Sequence, residues 1–531
     1  MSYSRPNATV ATFTRNRTGN DVSPFSGMCV TCTEGCVGLC EVGKSAYRGA
    51  ETIYPQPFGP MTAASQKDYP VDLSHFTILG GVVGAQGVAA DSDVAIFPNV
   101  DLSVTLGKAP GIKLRLPISI PGLGSTDVAK RNWEGLAIGA AISGIPLTIG
   151  ENVCGMDPEA EFVDGRVVKS PELARRVRIY QEWQNGYGAI VVQANVEDTR
   201  LGVQEYALEK LGVEVVELKW GQGAKDIGGE VKINDLERAQ LLKARGYIVL
   251  PDPEDPEVID AFHRGVFQEF ERHSRIGMVS EEAFLTRAAE LRALGAKQIW
   301  LKTGAYRPVD LARALRYSSM AGIDVLTVDG AGGGTGMSPW RMMNEWGIPT
   351  VELASLTWQY AGRMAALGAY VPSIVLAGGF SLEDHIFKGL ALGAPFVKAI
   401  GMARGPIAAV MVGKTLGRHI EDENIPSAVQ KYGKTVDEIF ISTVALQHRF
   451  GNDYHRIPTS AIGLYTYLQR VAQGLRQFMC GARKFGVEHI SRDDICALTR
   501  EAADISGITY VTEVDKQQVD EMLRIPAASP A

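Results

Sequence analysis

The 531-residue sequence has little of what marks several protein classes. Its seven cysteines are too few for a disulfide scaffold in a chain of this length. With 53 basic and 60 acidic residues the net charge is −7 and no Lys/Arg-rich run occurs, so we expect no nucleic-acid partner. The longest uncharged apolar run, residues 136–150, is too short to span a membrane, and residues 1–6 lack a signal-peptide core. We therefore expect a soluble, cytoplasmic protein without a membrane partner.

The cysteines that are present are concentrated near the N-terminus. Cys29, Cys32, Cys36 and Cys40 follow one another with two, three and three residues between them. Four thiolates on one short, glycine-containing loop can enclose a small inorganic centre. Structural zinc usually draws two separated cysteine pairs, so the spacing favours a [4Fe-4S] cluster, with zinc as the alternative and metal-free cysteines, reactive or disulfide-linked, as the third possibility.

Apolar, β-branched segments alternate with amphipathic helical segments along the middle of the chain. Repeated βα units form a parallel sheet, and about eight units favour a closed barrel over an open sheet. We predict an α/β fold, a (β/α)8 TIM barrel over residues 111–415, preceded by an N-terminal arm (1–110) with the cysteine cluster and followed by a helical C-terminal extension (416–531). The strand candidates are residues 114–120, 146–149, 189–192, 213–218, 247–250, 298–301, 325–328, 373–376 and 396–400.

Three successive strand candidates end in glycine. The strand at 325–328 runs into a glycine-rich segment at 329–338, and the next two strands end at Gly378-Gly379 and at Gly401. Glycine lets backbone N–H groups approach a phosphate or a flat ring that a side chain would hold off. A flexible surface turn is the alternative for one such loop, but three in succession indicate one composite phosphate site. Its candidate residues are Gly333, Gly334, Thr335, Gly378, Gly379 and Gly401.

The other strand ends carry charged side chains. Chemistry in a barrel lies where the strands pass into loops at their carboxyl ends, and there the sequence places one acid, three lysines and a glutamine. We expect a positive, glycine-lined pocket for a phosphate-bearing cofactor and an anionic substrate. Purely structural roles stay open for two of them: Lys219 as an ion-pair partner across the barrel and Glu151 as a helix cap. The residues are Glu151, Lys219, Gln222, Lys225 and Lys302.

Two motifs resemble the FMN-binding synthase domain of glutamate synthase. Residues 219–229, K-W-G-Q-G-A-K-D-I-G-G, are similar to the family pattern K-x-x-Q-G-A-K-P-G-x-G-G. Residues 330–339, G-A-G-G-G-T-G-M-S-P, are similar to G-x-D-G-G-T-G-A-S-P. The resemblance extends over about residues 111–405.

The resemblance implies an FMN over the barrel mouth, with its phosphate held by the loops at Gly378-Gly379 and Gly401. It further implies flavin contacts from Ser125, Gln181 and Lys302, and substrate contacts from the catalytic candidates Glu151, Gln222 and Lys225. A lysine near the flavin ring stabilises the negative charge of the reduced form.

The chain also departs from the family. The three-cysteine cluster motif that follows the last barrel strand is absent, so the Cys29 to Cys40 cluster is expected to take over as the electron relay. The glutaminase segment is absent too, so ammonia is expected from solvent or another subunit. The family's P-P-P-H-H-D segment is R-H-S-R-I here, at residues 272–276, and the substrate is left open.

These features together predict an FMN- and iron–sulfur-dependent oxidoreductase that acts on the C–N bond of an amino or keto acid. The expected partners are an electron donor or reductase subunit, an ammonia-supplying subunit and further copies of the chain in a homo-oligomer. Two alternatives stay open. One is another FMN barrel oxidoreductase or isomerase with a structural cluster, and the other is a non-catalytic electron-transfer subunit.

Overall fold

The computed structural model describes residues 67, 69–221, 231–333 and 340–524. The four clustered cysteines and Gln222, Lys225, Gly334 and Thr335 lie outside the described residues, so their predicted roles stay predictions.

Eight parallel strands close into a barrel in chain order, and the last strand pairs with the first. This confirms the predicted (β/α)8 architecture. The strands are Ile118–Leu123 (β1), Leu147–Ile149 (β2), Ile190–Ala194 (β3), Val215–Lys219 (β4), Gln298–Thr303 (β5), Val325–Asp329 (β6), Ser373–Ala377 (β7) and Val397–Gly401 (β8).

A helix follows each strand on the outside of the barrel. Hydroxyl side chains define several of the helix starts: Thr126 accepts from the Ala129 N–H, and Ser170 and Ser280 cap two later helices in the same way. The helices are Asp127–Ser143 (α1), Pro171–Trp183 (α2), Val203–Lys210 (α3), Glu281–Ala293 (α4), Pro308–Ala321 (α5), Thr350–Ala366 (α6), Glu383–Gly393 (α7) and Arg404–Glu421 (α8). Short helices at Val153–Met156, Val196–Leu201 and Trp340–Glu345 lie in the loops.

The N-terminal half of the barrel interior is a packed apolar core. Alternate strand residues point inward, and one buried cluster is made of such residues together with Leu106 and Leu114. The last two belong to an antiparallel hairpin, Val104–Leu106 with Ile112–Leu114, which closes this end. The inward strand residues of the cluster include Val191, Val215, Trp300, Val325, Val375 and Ala399. The polar side chains of the barrel interior are therefore found toward the carboxyl ends of the strands.

An additional small unit is inserted between β4 and α4. Its antiparallel strands Val231–Ile233, Phe270–His273 and Ile248–Leu250 pair in that order. Helices Leu236–Ala244 and Pro256–His263 complete it, and Phe270, Tyr247 and Val249 belong to its own apolar core. The prediction that residues 247–250 form a barrel strand was wrong, because a short apolar run has the same pattern in either kind of sheet.

The remaining elements lie around the barrel. The strands Glu161–Val163 and Arg166–Lys169 form a hairpin after β2, and Phe76–Ile78 pairs with Ile495–Ala497. The C-terminal helices are Ser427–Gln430, Val436–Ile439, Thr443–Phe450, Thr459–Gly481 (α9), Arg500–Ser506 and Lys516–Met522, and α9 packs on α8 and α1. Within the described part of the chain, no helix has the length and apolar character needed to cross a bilayer.

Candidate functional site

Charged and polar side chains occupy the inward positions directly above the apolar layer. In β4 the inward series runs Val215, Glu217, Lys219, so its character changes from apolar to charged toward the carboxyl end. Strand pairing aligns Glu217 with Gln193 of β3, and Lys219 with Lys302 of β5. Barrel closure thus brings these side chains into one group.

Lys219 and Glu151 form a largely buried ion pair, in which the two side chains are 5% and 17% exposed. The Lys219 Nζ lies 2.8 Å from Oε1 of Glu151, which stands in the turn after β2. Burial disfavours the charged carboxylate, but the Lys219 charge and hydrogen bond and the Lys302 charge outweigh it, and the pKa of Glu151 is lowered. The structural alternative for Lys219, an ion pair across the barrel, is confirmed. The alternative for Glu151, a helix cap, is wrong, because its carboxylate pairs with Lys219 instead.

Lys302 and Asp329 form the second ion pair, with 3.0 Å between the Lys302 Nζ and the Asp329 Oδ2. Burial opposes the lysine charge, yet Asp329 and Glu217 overcome this effect and raise the pKa of Lys302. Lys302 is 5% exposed and Asp329 is 7% exposed. The expectation of a positive pocket therefore needs correction for the described residues, because each of these two lysines is matched by a carboxylate.

Glu217 lies below the two ion pairs and carries no ion pair of its own among the described residues. The Gln193 side-chain amide donates a hydrogen bond to its carboxyl group. Burial raises the pKa of Glu217 to about 7, although both lysines favour its ionised form. Sequence reasoning missed Gln193, Glu217 and Asp329. The available signal was the inward position of each: Glu217 stands two residues before Lys219 on the same strand face.

A network of hydrogen bonds holds the turn that carries Glu151. The Asp198 carboxylate accepts from the Asn152 N–H at 2.9 and 3.1 Å, and Asn152 has φ +66°. Tyr247 of the inserted unit donates its hydroxyl to the Asn152 Oδ1 at 3.2 Å. Burial raises the pKa of Asp198 to about 7. The inserted unit and the short helix Val196–Leu201 thus jointly position the turn that carries Glu151.

The glycine loops after β6 and β7 lie against each other. The Gly330 N–H donates to the Ala377 carbonyl at 2.9 Å, and Thr350 Oγ1 donates to the Gly378 carbonyl at 2.7 Å. A Cβ on Gly378, at φ +128°, would stand 2.8 Å from the Gly330 nitrogen. Gly379, at φ +104°, follows with its backbone against Gly332. Contact between the loops is therefore a structural reason for these glycines, in addition to any ligand.

Most of the described candidates lie at this end of the barrel. Ser125 follows β1 and is half-buried, and Gly401 ends β8, where an added Cβ would stand 2.8 Å from the Cβ of Ala377. Glu151, Lys302, Gly333, Gly378 and Gly379 are at the same end, as described above.

Gln181 lies apart from the other candidate residues. It is exposed near the end of α2, and its side-chain amide donates to the carbonyls of Leu211 and Gly212, at 3.4 and 3.3 Å. Those carbonyls precede β4 and so mark the N-terminal end of the barrel. The structure does not bring Gln181 to the mouth, because α2 runs back along the barrel before β3 begins.

The first described residues contact the β6 loop. The Tyr69 hydroxyl donates to the Ala331 carbonyl at 3.3 Å, and the Lys67 Nζ lies 2.5 Å from Glu345 Oε2. Residues 67 and 69 of the N-terminal arm therefore lie at the barrel mouth. Within the described ranges, no group of three or more His, Cys, Asp or Glu side chains could hold a metal ion.

Comparisons with known proteins add a family relationship. The family profile described as a conserved region in glutamate synthase matches residues 272–413, which include β5 to β8. A glutamate synthase large subunit-like protein of Rhizobium meliloti is 28% identical over 429 residues, which cover 77% of this chain and 81% of the relative. An archaeal NADPH glutamate synthase of Archaeoglobus fulgidus is 27% identical over 317 residues, which cover 60% of this chain and about half (52%) of the relative.

Solved structures share the architecture only loosely. A mutant flavocytochrome b2 with pyruvate bound has a TM-score of 0.47 at 11% identity, and the match covers 92% of each chain. A mandelate oxidase has a TM-score of 0.43 at 12% identity, and the match covers 79% of this chain and 86% of the oxidase. Neither likeness bears on ligand or reaction.

Proposed function

We propose that this chain is a glutamate synthase-type, FMN- and iron–sulfur-dependent oxidoreductase that acts on the C–N bond of an amino or keto acid, and its similarity to that family over residues 272–413 supports the proposal. The observation that carries the proposal is the common location of two largely buried lysine–carboxylate pairs and three glycine-ended strands at one end of the barrel. This end supplies both backbone for a phosphate and charged groups for redox chemistry of a polar substrate.

The glycine edge fits the phosphate end of FMN. Gly378 and Gly379 have positive φ, and with Gly401 they place backbone where other residues would place side chains. These three residues would hold the phosphate, and Gly333, with Gly334 and Thr335, would extend the same edge.

The flavin ring would lie toward the charged group, with Ser125 and Lys302 beside it. When bound, FMN supplies two-electron transfer to or from the substrate carbon. Lys302 is the buried cation that would offset negative charge on the reduced cofactor.

The Glu151–Lys219 pair would bind and orient the substrate, together with Gln222 and Lys225. A lysine ammonium and a glutamine amide donate hydrogen bonds to a substrate carboxylate. Glu151, with its lowered pKa, is ionised at neutral pH and can accept a proton or a hydrogen bond from an amino or imino nitrogen. The pair thus offers a positive charge for the carboxylate of an amino acid and a negative charge for its amino group.

The N-terminal arm would hold a [4Fe-4S] cluster through Cys29, Cys32, Cys36 and Cys40, with zinc as the alternative metal. The contact of Tyr69 with Ala331 supports a position of the arm near the mouth. The cluster would pass electrons from a donor or reductase subunit, and ammonia would come from solvent or from another subunit.

Anaerobic purification followed by absorbance, flavin and iron–sulfide analysis tests the cofactors. We expect flavin bands together with iron and sulfide in the full-length protein, and a colourless protein would refute the proposal. A screen of keto acids with ammonia and of amino acids, followed by flavin absorbance, then identifies the substrate.

A Cys32→Ser variant separates the relay from a structural cluster. If the cluster relays electrons, the variant keeps FMN but loses turnover with the physiological electron donor. Unchanged turnover would instead favour an FMN barrel enzyme whose cluster is only structural.

A further inference from the structure

The Lys302–Asp329 ion pair at the barrel mouth contains a carboxylate that lies outside the glycine motif of residues 330–339. In the pattern G-x-D-G-G-T-G, the aspartate position is occupied by Gly332 in this chain. The carboxylate stands three residues earlier, at Asp329, the last residue of β6. Because Asp329 is an inward residue of the strand, its side chain enters the barrel instead of the loop.

Asp329 lies between Lys302 and the glycine loop. Its Oδ2 is 3.0 Å from the Lys302 Nζ, and a Cβ on Gly333 would stand 3.1 Å from its Oδ1. Both partners of the pair are more than nine-tenths buried. In such surroundings charges interact more strongly than in water, so the carboxylate cancels much of the field of the lysine.

Carboxylates also lie close to the lysines in the rest of the described site. Lys219 is matched by Glu151, and Glu217 lies close enough to Lys302 to raise the pKa of the lysine. Lys302 therefore acts as one end of a dipole and not as an isolated cation. A cation near a flavin favours its reduced, negatively charged form, and neutralising that cation removes the preference.

We propose that Asp329 is a positioning residue that neutralises Lys302 and lowers the reduction potential of the FMN. This inference rests on the proposed function and predicts the direction of electron transfer in it. A low potential favours electron flow from the cofactor to a C=N bond. That bond takes up two electrons and two protons to become CH–NH, and the electrons come from the donor that the proposed function requires.

The test is the FMN midpoint potential of the Asp329→Asn variant, measured anaerobically by titration against reference dyes. The substitution keeps the shape of the side chain and removes its charge. We expect a more positive potential, with at least a tenfold change in the ratio of reduced to oxidised flavin, which corresponds to about 30 mV for a two-electron couple. The matched control is Asp310→Asn, which removes an acid of α5 that pairs with Arg313 on the surface, and its potential should equal that of the wild type.

A Lys302→Met background separates an effect through the lysine from a direct one. Without the lysine, Asp329 has no cation to hold or neutralise, so Asp329→Asn should then shift the potential far less than in the wild type. An equal shift in both backgrounds would contradict the role of Lys302. An unchanged or more negative potential in the Asp329→Asn single variant would overturn the inference.

Two further outcomes are distinguishable. Wild-type protein without flavin refutes the proposed function itself, whereas flavin-bearing wild type with an unshifted variant refutes only the role of Asp329. Asp329→Ser is a second charge-removing variant, and we expect a positive shift from it too. Folded variants at this position that both fail to retain FMN would make Asp329 a purely structural residue and overturn the inference.

Discussion

The contact between the glycine loops after β6 and β7 can be tested by giving Gly378 a methyl group. In Gly378→Ala, the new Cβ would stand 2.5 Å from Thr350 Oγ1, 2.8 Å from the Gly330 nitrogen and 2.9 Å from the Gly330 Cα. Two of these three atoms belong to the backbone, so a rotamer change cannot relieve the overlap. The loops would have to separate.

The expected cost has two parts. Backbone at φ +128° is a region that only glycine adopts readily, and strain of this kind costs about 1–3 kcal/mol. Overpacking of a tight contact adds about 1–3 kcal/mol. Gly368→Ala is the matched control, because Gly368 also has positive φ (+72°) but has no neighbouring atom within 4 Å of the added Cβ. Its cost should be the conformational part alone, about 1–2 kcal/mol.

Urea unfolding followed by far-ultraviolet circular dichroism measures both variants. We expect a clearly larger loss of stability for Gly378→Ala than for Gly368→Ala. The flavin content of the purified proteins is a second readout, because the proposed phosphate position lies on the displaced loop. Equal losses of stability in the two variants would refute the close approach of the loops.

Three other predictions concern buried charges and the far end of the barrel. The raised pKa of Glu217, about 7 against a usual 4.5, means that the fold retains a proton which the unfolded chain releases. The contribution of Glu217 to the free energy of unfolding should therefore be fully present below pH 4.5 and fall by about 3 kcal/mol as pH rises to 7, and Glu217→Gln should remove this part of the slope in urea unfolding across pH. Lys219→Met leaves Glu151 buried without its partner and should cost about 3–5 kcal/mol, part of which Glu151→Gln recovers; additive losses in the double-mutant cycle would contradict the pairing. Gln181→Ala should leave flavin content unchanged, and loss of flavin from that variant would contradict its position.

The inserted unit shows where local pattern is ambiguous. Residues 247–250 have the apolar pattern of a barrel strand, and the structure pairs Ile248–Leu250 antiparallel with Phe270–His273 instead. Which strand a segment pairs with is set by the tertiary fold, and a run of three or four apolar residues does not specify that partner strand.

The sequence alone determined the barrel and the end at which its polar groups gather. The alternation of apolar strands with amphipathic helices and the glycines after β6, β7 and β8 are local features, and parallel strands must end at one face.

Only the tertiary structure decided which charges meet. The pairs Lys219–Glu151 and Lys302–Asp329 join residues on different strands or loops. Gln181 lies at the opposite end, because α2 has returned there before β3 begins. Sequence periodicity tells which way a side chain points from its own strand. Barrel closure sets the distances between strands, and those distances decide whether a buried lysine acts as a free cation or as half of an ion pair.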